Sequence, residues 1–332
     1  MKISIIGAGA FGTAMAAAAE RAGNEVLLWA HDPEVAVRIR ETRSNPDYLP
    51  GITFGEHVHA TNDLAEAASF SETAFMVVPS HYYRHVLASF ASHTTRPIKI
   101  VSAMKGIENE TLVRMSEVTA DVLGPQLQAF AVLSGPTFAI ETARGDPTVA
   151  VIASKDLEFA QQVQHVMSSP VLRLYYSDDV VGVELAGSLK NVIAIGSGVL
   201  EGLGFGLNTN AALITRGLRE ITRLGMALGG RLETFAGLAG MGDLVLTCTG
   251  ALSRNRSVGV LLGRGKKLEE ILNEAKFVAE GVRTAKSAQS LAEKHQIEMP
   301  ITNEMYRVLY EGVSPHEALQ RLMTRSLKAE LA

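Results

Sequence analysis

Short apolar runs alternate with longer amphipathic segments through the first half of the chain. Runs rich in Val, Ile and Leu favour buried strands, and the segments between them have helical periodicity. This alternation is typical of an α/β fold in which helices cover both faces of a mostly parallel sheet. The predicted strands are Lys2–Ile6, Glu25–Trp29, Ala74–Val78, Ile98–Ser102, Phe130–Leu133, Thr148–Ala153 and Val171–Tyr175. The predicted helices are Phe11–Ala22, Pro33–Thr42, Tyr82–Phe90, Thr111–Val122 and Leu157–Met167.

The pattern changes near Val180, where strand signals almost end and helical periodicity takes over. The predicted helices there are Glu184–Leu200, Asn210–Leu228, Arg256–Leu262, Leu268–Asn273, Thr284–Lys294, Thr302–Tyr310 and Ser314–Thr324. A cluster of glycines at 202–206 lies between two of them and is interpreted as an interhelical loop. We therefore predict two domains, an α/β domain over residues 1–184 and an all-α domain over residues 185–332.

Composition restricts the class of protein further. The 332 residues are 47% hydrophobic and 20% charged, which is ordinary globular composition with enough apolar material for two cores. The net charge of −4 gives no reason to expect a nucleic-acid partner. No apolar stretch of about 18 residues is free of charge, so no membrane span is expected. The single cysteine, Cys248, excludes an intrachain disulfide and fits a cytoplasmic protein.

The first predicted strand is followed at once by a glycine-rich turn, Gly7-Ala8-Gly9-Ala10-Phe11-Gly12. The GxGxxG pattern is weak alone, but here it joins a strand to a helix of small residues, which is the context that dinucleotide binding requires. Gly7 permits the tight turn, Gly9 lets the backbone approach a pyrophosphate, and Gly12 lets the helix pack on the strand. We therefore predict a Rossmann-like doubly wound sheet that binds NAD or NADP.

The tip of the second predicted strand bears on the choice between these cofactors. An acidic residue there would bind the ribose hydroxyls of NAD, whereas a cation would tolerate the 2′-phosphate of NADP. The sequence has Ala30 and His31 at the tip and Asp32 just after it. The choice stays open, with a slight preference for NADPH.

Hydride transfer to a ketone also needs a proton donor near the carbonyl oxygen. Lys190 interrupts an apolar helix, where a lysine is costly to bury unless it is used or paired, although it could also extend to the surface. Lys105 follows a strand, and ligands bind at the carboxyl ends of strands in such sheets. A loop lysine on the surface is the alternative interpretation of Lys105.

The more basic second half contains a candidate anion site. Residues 1–185 have a charge balance of −8 and residues 186–332 one of +4. A glycine-dense loop is predicted from Gly237 to Asp243, and Ser253-Arg254-Asn255 opens the next helix. An arginine at a helix N-terminus can bind a phosphate, but the same residues could be a serine cap with a solvated arginine. No metal site is predicted, because His81 and His85 have no acidic or cysteine partner nearby.

Several segments in order along the chain resemble the bacterial-type NAD(P)-dependent sn-glycerol-3-phosphate dehydrogenases. The matching stretches are GAGAFGTAMA, VPSHYYR, SAMKGIE, SGPTFA, GSLKNVIAIGSG, NTNAALITRGL, GLAGMGDLVLTCTG, LSRNRSVG and VAEGVRT. Two departures are visible: Ser188 replaces the usual Ala or Thr, and His31 stands where many relatives have Arg. The resemblance implies reduction of dihydroxyacetone phosphate to sn-glycerol 3-phosphate for phospholipid synthesis, by a cytoplasmic homodimer.

The resemblance also implies roles for individual residues. Lys190 is expected to donate the proton, with Lys105 beside both substrate and cofactor and Asp243 orienting the lysines. The residues implied to bind substrate, besides these three, are Gly135, Thr137, Ser253, Arg254 and Asn255. Those implied to line the cofactor site are Gly7, Gly9, Ala10, Phe11, Gly12, His31, Tyr48, Lys105, Ala139, Arg254, Val278 and Glu280.

Two other interpretations of the sequence remain. A two-domain dehydrogenase acting on a hydroxy acid would need no phosphate on its substrate. A non-catalytic dinucleotide sensor would bind cofactor without turnover and would leave the two lysines unexplained. Assays with a ketone and its phosphate ester distinguish all three.

Overall fold

A computed structural model describes residues 1–274 and 278–330 of the chain. The first half forms one eight-stranded sheet. Its strands are β1 Lys2–Ile6, β2 Glu25–Trp29, β3 Val58–Thr61, β4 Thr73–Met76, β5 Ile98–Ser102, β6 Leu127–Ser134, β7 Thr148–Ala153 and β8 Leu172–Ser177. The sheet order is β3-β2-β1-β4-β5-β6-β7-β8, and all neighbours are parallel except β6 and β7. The predicted fold class is thus confirmed.

The helices divide into two groups along the chain. The first group, connected with the sheet, comprises α1 Ala10–Arg21, α2 Pro33–Thr42, α3 Leu64–Phe70, α4 Tyr83–Ser92, α5 Met115–Leu123, α6 Ala139–Arg144 and α7 Leu157–Met167. The second comprises α8 Val180–Gly202, α9 Leu207–Ala227, α10 Leu232–Ala236, α11 Asp243–Thr249, α12 Arg254–Gly263, α13 Leu268–Glu274, α14 Glu280–Lys294, α15 Pro300–Tyr310 and α16 Pro315–Met323.

Consecutive residues of β1 supply two apolar cores on opposite faces of the sheet. Ile5 packs in a cluster with Ala14 of α1, whereas Ile6 packs in another with Tyr83 and Phe90 of α4. Side chains alternate between faces along a strand, so a strand that is buried on both faces needs helices on both sides. β1 is such a strand from its second residue onward.

Helix α8 is the centre of the second half. Nearly all of its side chains are buried, and it contacts α9, α11, α12, α14 and α15. It is long and apolar enough to cross a membrane, but 94% of its most apolar window is buried inside the protein. The predicted boundary at residue 184 falls inside this helix, after its first turn, and the division into two domains stays a prediction.

Glycines allow α8 and α12 to approach almost backbone to backbone. A Cβ atom on Gly198 would meet the Arg256 carbonyl oxygen, and one on Gly259 would meet the Ile195 carbonyl oxygen. Larger residues would force the helices apart, because packed cores have little free volume. This contact fixes the start of α12, where Arg254 lies, relative to the middle of α8, where Lys190 lies.

Several parts of the sequence fold differently from their prediction, among them the short helices α6, α10 and α11, which the periodicity does not predict. The unpredicted pair β3 and α3 occupies residues 58–70, and Leu238–Gly242 forms a π-helical turn that leads directly into α11. The prediction of a loop from Gly237 to Asp243 is therefore wrong. Gly240 allows the turn, since a Cβ there would meet the backbone of Phe235. The glycines at 202–206 do lie between α8 and α9, as predicted.

Candidate active site

The glycine loop joins β1 to α1 and has the geometry that a dinucleotide needs. Gly7 has a φ of +120°, a conformation that favours glycine, and a Cβ there would lie 2.5 Å from the Val77 carbonyl oxygen. A Cβ on Gly12 would meet the Gly7 carbonyl oxygen. Gly9 differs, because no described atom lies within 4 Å of its Cβ position. The loop is therefore closed at Gly7 and Gly12 and open at Gly9, which fits a pyrophosphate.

The N-terminus of α1 adds electrostatic support for phosphates. The helix begins at Ala10, and Gly9 provides no side-chain cap for its free N–H groups. Phe11, in the first turn, is half-buried. Free N–H groups and the positive end of a helix attract anions.

The end of β2 is followed by an exposed histidine and by an aspartate whose carboxylate caps the next helix. His31 is exposed, with its ring 5.9 Å from that of Trp29. The Asp32 carboxylate accepts a 2.9 Å hydrogen bond from the Glu34 amide and so caps α2. Tyr48 is 49% exposed and follows Asn45, whose amide donates to the Ala8 carbonyl at 2.8 Å. Sequence reasoning did not identify Asn45 as the link to the glycine loop.

Two lysines converge on one buried carboxylate. Lys190 Nζ lies 2.5 Å from Asp243 Oδ1, and Lys105 Nζ lies 2.6 Å from Asp243 Oδ2. Lys190 comes from α8, Lys105 from the end of β5, and Asp243 from the start of α11. Asp243 is 1% exposed and Lys190 5%, whereas the Lys105 side chain is 18% exposed. The three residues chosen from the sequence thus form one cluster.

Burial makes Lys190 a weaker base than an ordinary lysine. Its pKa falls to about 8, mainly because burial disfavours the charged form, and Lys105 lowers it further. Asp243 acts in the opposite sense, because its negative charge stabilises the ammonium. Lys190 is therefore mostly protonated at neutral pH, yet it can lose its proton within the range in which enzymes work.

Thr247 completes the environment of Lys190 and was not predicted from the sequence. Lys190 Nζ donates to Thr247 Oγ1 at 2.6 Å, and Thr247 donates to the Asp243 carbonyl at 2.6 Å. Asp243 and Thr247 are four positions apart on α11, so their side chains lie on the same face of the helix. This spacing could have indicated Thr247 only if residues 243–249 had been predicted to be helical, and the prediction of a loop up to Asp243 did not suggest that.

The turn after β6 contacts the lysine cluster. Gly135, with a φ of +143°, accepts a 3.2 Å hydrogen bond from Lys105 Nζ through its carbonyl. Thr137 Oγ1 donates to the same carbonyl at 3.1 Å. Ala139 begins α6 and is half-buried. A Cβ on Gly135 would lie 2.9 Å from the Ala150 Cα, so glycine is required here.

The start of α12 lies beside Lys190 through its asparagine. Asn255 Nδ2 donates to Asn191 Oδ1 at 3.0 Å, and Asn255 Oδ1 accepts from the Gly281 amide at 2.9 Å. Ser253 caps the helix by accepting from the Arg256 amide at 3.3 Å. Arg254 is the first helical residue and is exposed. In this structure Asn255 therefore joins three helices, and its contact with substrate stays a prediction.

Glu280 connects α14 to the segment that follows β4, a strand paired with β1. Its carboxylate accepts from the Ser80 amide at 2.9 Å and from Ser80 Oγ at 2.6 Å, just after β4. Burial raises the pKa of Glu280, while both bonds from Ser80 lower it. Val278, two residues earlier, is 37% exposed. The bonds to Ser80 were not foreseen from the sequence.

A glycine loop that fits a dinucleotide and a buried, titratable lysine in the same chain are together typical of a nicotinamide-dependent dehydrogenase. Residues 2–160 match the family profile described as the NAD-dependent glycerol-3-phosphate dehydrogenase N-terminus, and residues 179–320 match that of its C-terminus. The chain therefore belongs to the NAD-dependent glycerol-3-phosphate dehydrogenase family and is an NAD(P)-dependent oxidoreductase.

Individual relatives are similar to this chain over nearly their whole length. The chain is 52% identical to the glycerol-3-phosphate dehydrogenase [NAD(P)+] of Citrifermentans bemidjiense, covering 99% of this chain and 98% of the relative. It is 51% identical, with the same coverage, to that of Geobacter sulfurreducens. The crystal structure of glycerol-3-phosphate dehydrogenase from Coxiella burnetii superposes with a TM-score of 0.93 at 38% identity, covering 98% of this chain and 99% of that one. The resemblance drawn from the motifs is thus confirmed.

Proposed function

We propose that the enzyme reduces dihydroxyacetone phosphate to sn-glycerol 3-phosphate, with Lys190 as the proton donor. The observation that carries this proposal is the Lys190–Asp243–Lys105 cluster, which holds a protonated amine in a buried position. The product would supply glycerophospholipid synthesis. We also propose a homodimer from the family resemblance, a cytoplasmic location from the single cysteine, and domains at residues 1–184 and 185–332 from the change of residue pattern near Val180.

Each residue of the cluster has a distinct task in this proposal. The nicotinamide, when bound, supplies the hydride that reduces the ketone carbon. Lys190 donates its proton to the developing alkoxide oxygen and is neutral afterwards, so it must be reprotonated before the next turnover. Asp243 and Thr247 fix the direction of Nζ through bonds of 2.5 and 2.6 Å. Lys105 adds positive charge beside the alkoxide and the substrate phosphate.

Substrate binding is assigned to the elements around this cluster. The α12 N-terminus, with Ser253, Arg254 and Asn255, is proposed to bind the phosphate through N–H groups and a guanidinium fork. Gly135 and Thr137 are proposed to contact the substrate from the turn after β6. A sensor that does not turn over would have no use for two lysines on one buried carboxylate, and this favours the enzyme.

The ammonium form of Lys190 should control the pH dependence of ketone reduction. Because the pKa is about 8, the donor is present below this pH and is lost above it. We expect kcat for dihydroxyacetone phosphate reduction to fall as the pH rises through about 8, and kcat for glycerol 3-phosphate oxidation to rise. Spectrophotometry of NADPH and NADH in both directions measures this. Absence of turnover would refute the function, and two profiles without opposite slopes would refute the proton donor.

The end of β2 leads us to propose that both cofactors work, with a modest preference for NADPH. Asp32 caps α2, and His31 is the exposed side chain at the strand end. We expect His31→Asp to shift the ratio of kcat/KM values towards NADH, because a carboxylate repels the 2′-phosphate. His93→Asp, at an exposed position after α4, is the matched control and should leave the ratio unchanged. An unchanged ratio in His31→Asp would place the ribose contact elsewhere.

A further inference from the structure

The loop between Lys105 and α5 is attached to α8 at both of its ends. At the first end, a Cβ on Gly187 of α8 would lie 3.6 Å from Lys105 Cγ and 2.7 Å from Ser134 Oγ. At the second end, Glu184 of α8 accepts hydrogen bonds from Arg114 and Ser116. The helix that carries Lys190 therefore also determines where this loop begins and ends.

Glu184 is a buried carboxylate whose bonds all lead to the end of that loop and the first turn of α5. It is 5% exposed, and its Oε1 accepts from the Ser116 amide at 2.7 Å. Its Oε2 accepts from Ser116 Oγ at 2.6 Å and from Arg114 Nη1 at 2.9 Å. Burying a carboxylate is costly unless it is paired and hydrogen-bonded. Burial raises the pKa of Glu184, while Arg114 and the bonds from Ser116 oppose that rise and favour the carboxylate.

Contacts within the loop link Arg114 to the segment that carries Lys105. Ile107 forms an antiparallel bridge with Arg114, and Ile107 is only two residues beyond Lys105. Leu112 has a φ of +60°, which is uncommon for a residue other than glycine and indicates a closely determined backbone. Ile107 also packs in the same apolar cluster as Leu185 and Leu189 of α8. A shift of Arg114 would therefore move the segment that carries Lys105.

We propose that Glu184 is a positioning residue that, through Arg114 and Ile107, holds Lys105 against Asp243 and beside Lys190. The proposal rests on the proposed function, in which that cluster transfers the proton. Without Glu184 the loop loses its hydrogen-bonded attachment to α8 at its second end, and the Lys105 ammonium moves away from Lys190. Because a neighbouring cation lowers the pKa of Lys190, its displacement should raise that pKa.

The test compares two buried glutamates. Glu184→Gln keeps the shape of the side chain but removes its charge. Glu220→Gln is the matched control, because Glu220 on α9 is also a buried carboxylate, 2% exposed, that holds another element by hydrogen bonds. It accepts from the Ile301 and Thr302 amides and from Thr302 Oγ1, all on α15. Both variants should lose stability on thermal unfolding. Only Glu184→Gln should lower kcat on dihydroxyacetone phosphate, by roughly 10- to 100-fold, and move its pH profile upwards.

The pKa of Lys190 can be followed without any substrate. NMR titration of 13C-labelled lysine, assigned with Lys190→Met, should give a higher pKa in Glu184→Gln and an unchanged one in Glu220→Gln. The groups facing Lys190 are Asp243, Lys105 and Cys248, and those facing Glu184 are Arg114, Glu117 and Tyr83. Neither substitution alters any of these groups directly, so a shift reports displacement of Lys105.

Ser116→Ala is a milder variant that tests the same contact if Glu184→Gln does not fold. It removes one hydroxyl donor and should change kcat and the Lys190 pKa in the same direction, by less. Normal kcat, KM and Lys190 pKa in folded variants would overturn the proposal and leave Glu184 a purely structural residue. Wild-type protein without turnover on dihydroxyacetone phosphate would instead refute the proposed function, while the NMR titration would still decide the role of Glu184.

Discussion

Lys190→Ala should reduce kcat for dihydroxyacetone phosphate by roughly 10²-fold or more while leaving NADPH affinity within a few-fold. The reason is that the variant has no proton donor at the alkoxide, whereas the glycine loop that fits the cofactor is unchanged. Steady-state kinetics give kcat, and quenching of NADPH fluorescence gives the affinity. Near-normal turnover would exclude Lys190 from the mechanism.

The loss of Lys190 also removes an ion pair, so its effect on folding must be separated from its effect on chemistry. Asp243 would keep Lys105 as a partner at 2.6 Å, which limits the cost of leaving a carboxylate buried. Lys190→Met nearly preserves side-chain volume and should show the same loss of kcat with less loss of stability. Lys99→Ala on β5, where Nζ contacts Gln162 at 3.1 Å, is the control and should keep full activity.

Local sequence signals were sufficient for most of the sheet. The runs at β1, β2 and β5 were predicted to the residue, because continuous apolar stretches next to glycine and polar turns have few alternatives. The four residues of β3 are missed, since Val-His-Ala-Thr alternates apolar and polar positions over too short a stretch to distinguish a strand from a loop. Its strand character comes from parallel pairing with β2, which is a tertiary effect that propensity does not contain.

The active site shows a similar division between local and long-range information. Lys190 could be selected because a lysine in an apolar helix is unusual, and Lys105 because it follows a strand. Glu184 and Thr247 had no comparable signal, since their importance depends on partners 68 and 57 positions away. The π-helical turn before Asp243 shows the same limit, because its glycines equally favour a loop.

The start of α12 should make the enzyme strongly selective for a substrate that carries a phosphate. Charge-assisted hydrogen bonds are each worth about 1.5–3 kcal/mol, so two or three bonds from Arg254 and the helix N-terminus, partly offset by desolvation, should give strong discrimination. We expect dihydroxyacetone to be worse than its phosphate by roughly 10²–10⁴ in kcat/KM. Equal activity on both ketones would refute this assignment and favour a hydroxy-acid dehydrogenase.

Arg254→Ala should remove much of that discrimination while leaving the low activity on dihydroxyacetone little changed. Arg254→Lys should restore it only in part, because an ammonium lacks the planar fork that binds two phosphate oxygens. Arg256→Ala, two residues further along α12, is the matched control, because the Arg256 side chain is paired with Glu201. NADPH affinity must be measured in all three variants, since Arg254 is also assigned to the cofactor site. Loss of cofactor affinity alone, with the preference for the phosphate intact, would place Arg254 on the dinucleotide and leave the substrate phosphate to other groups at the start of α12.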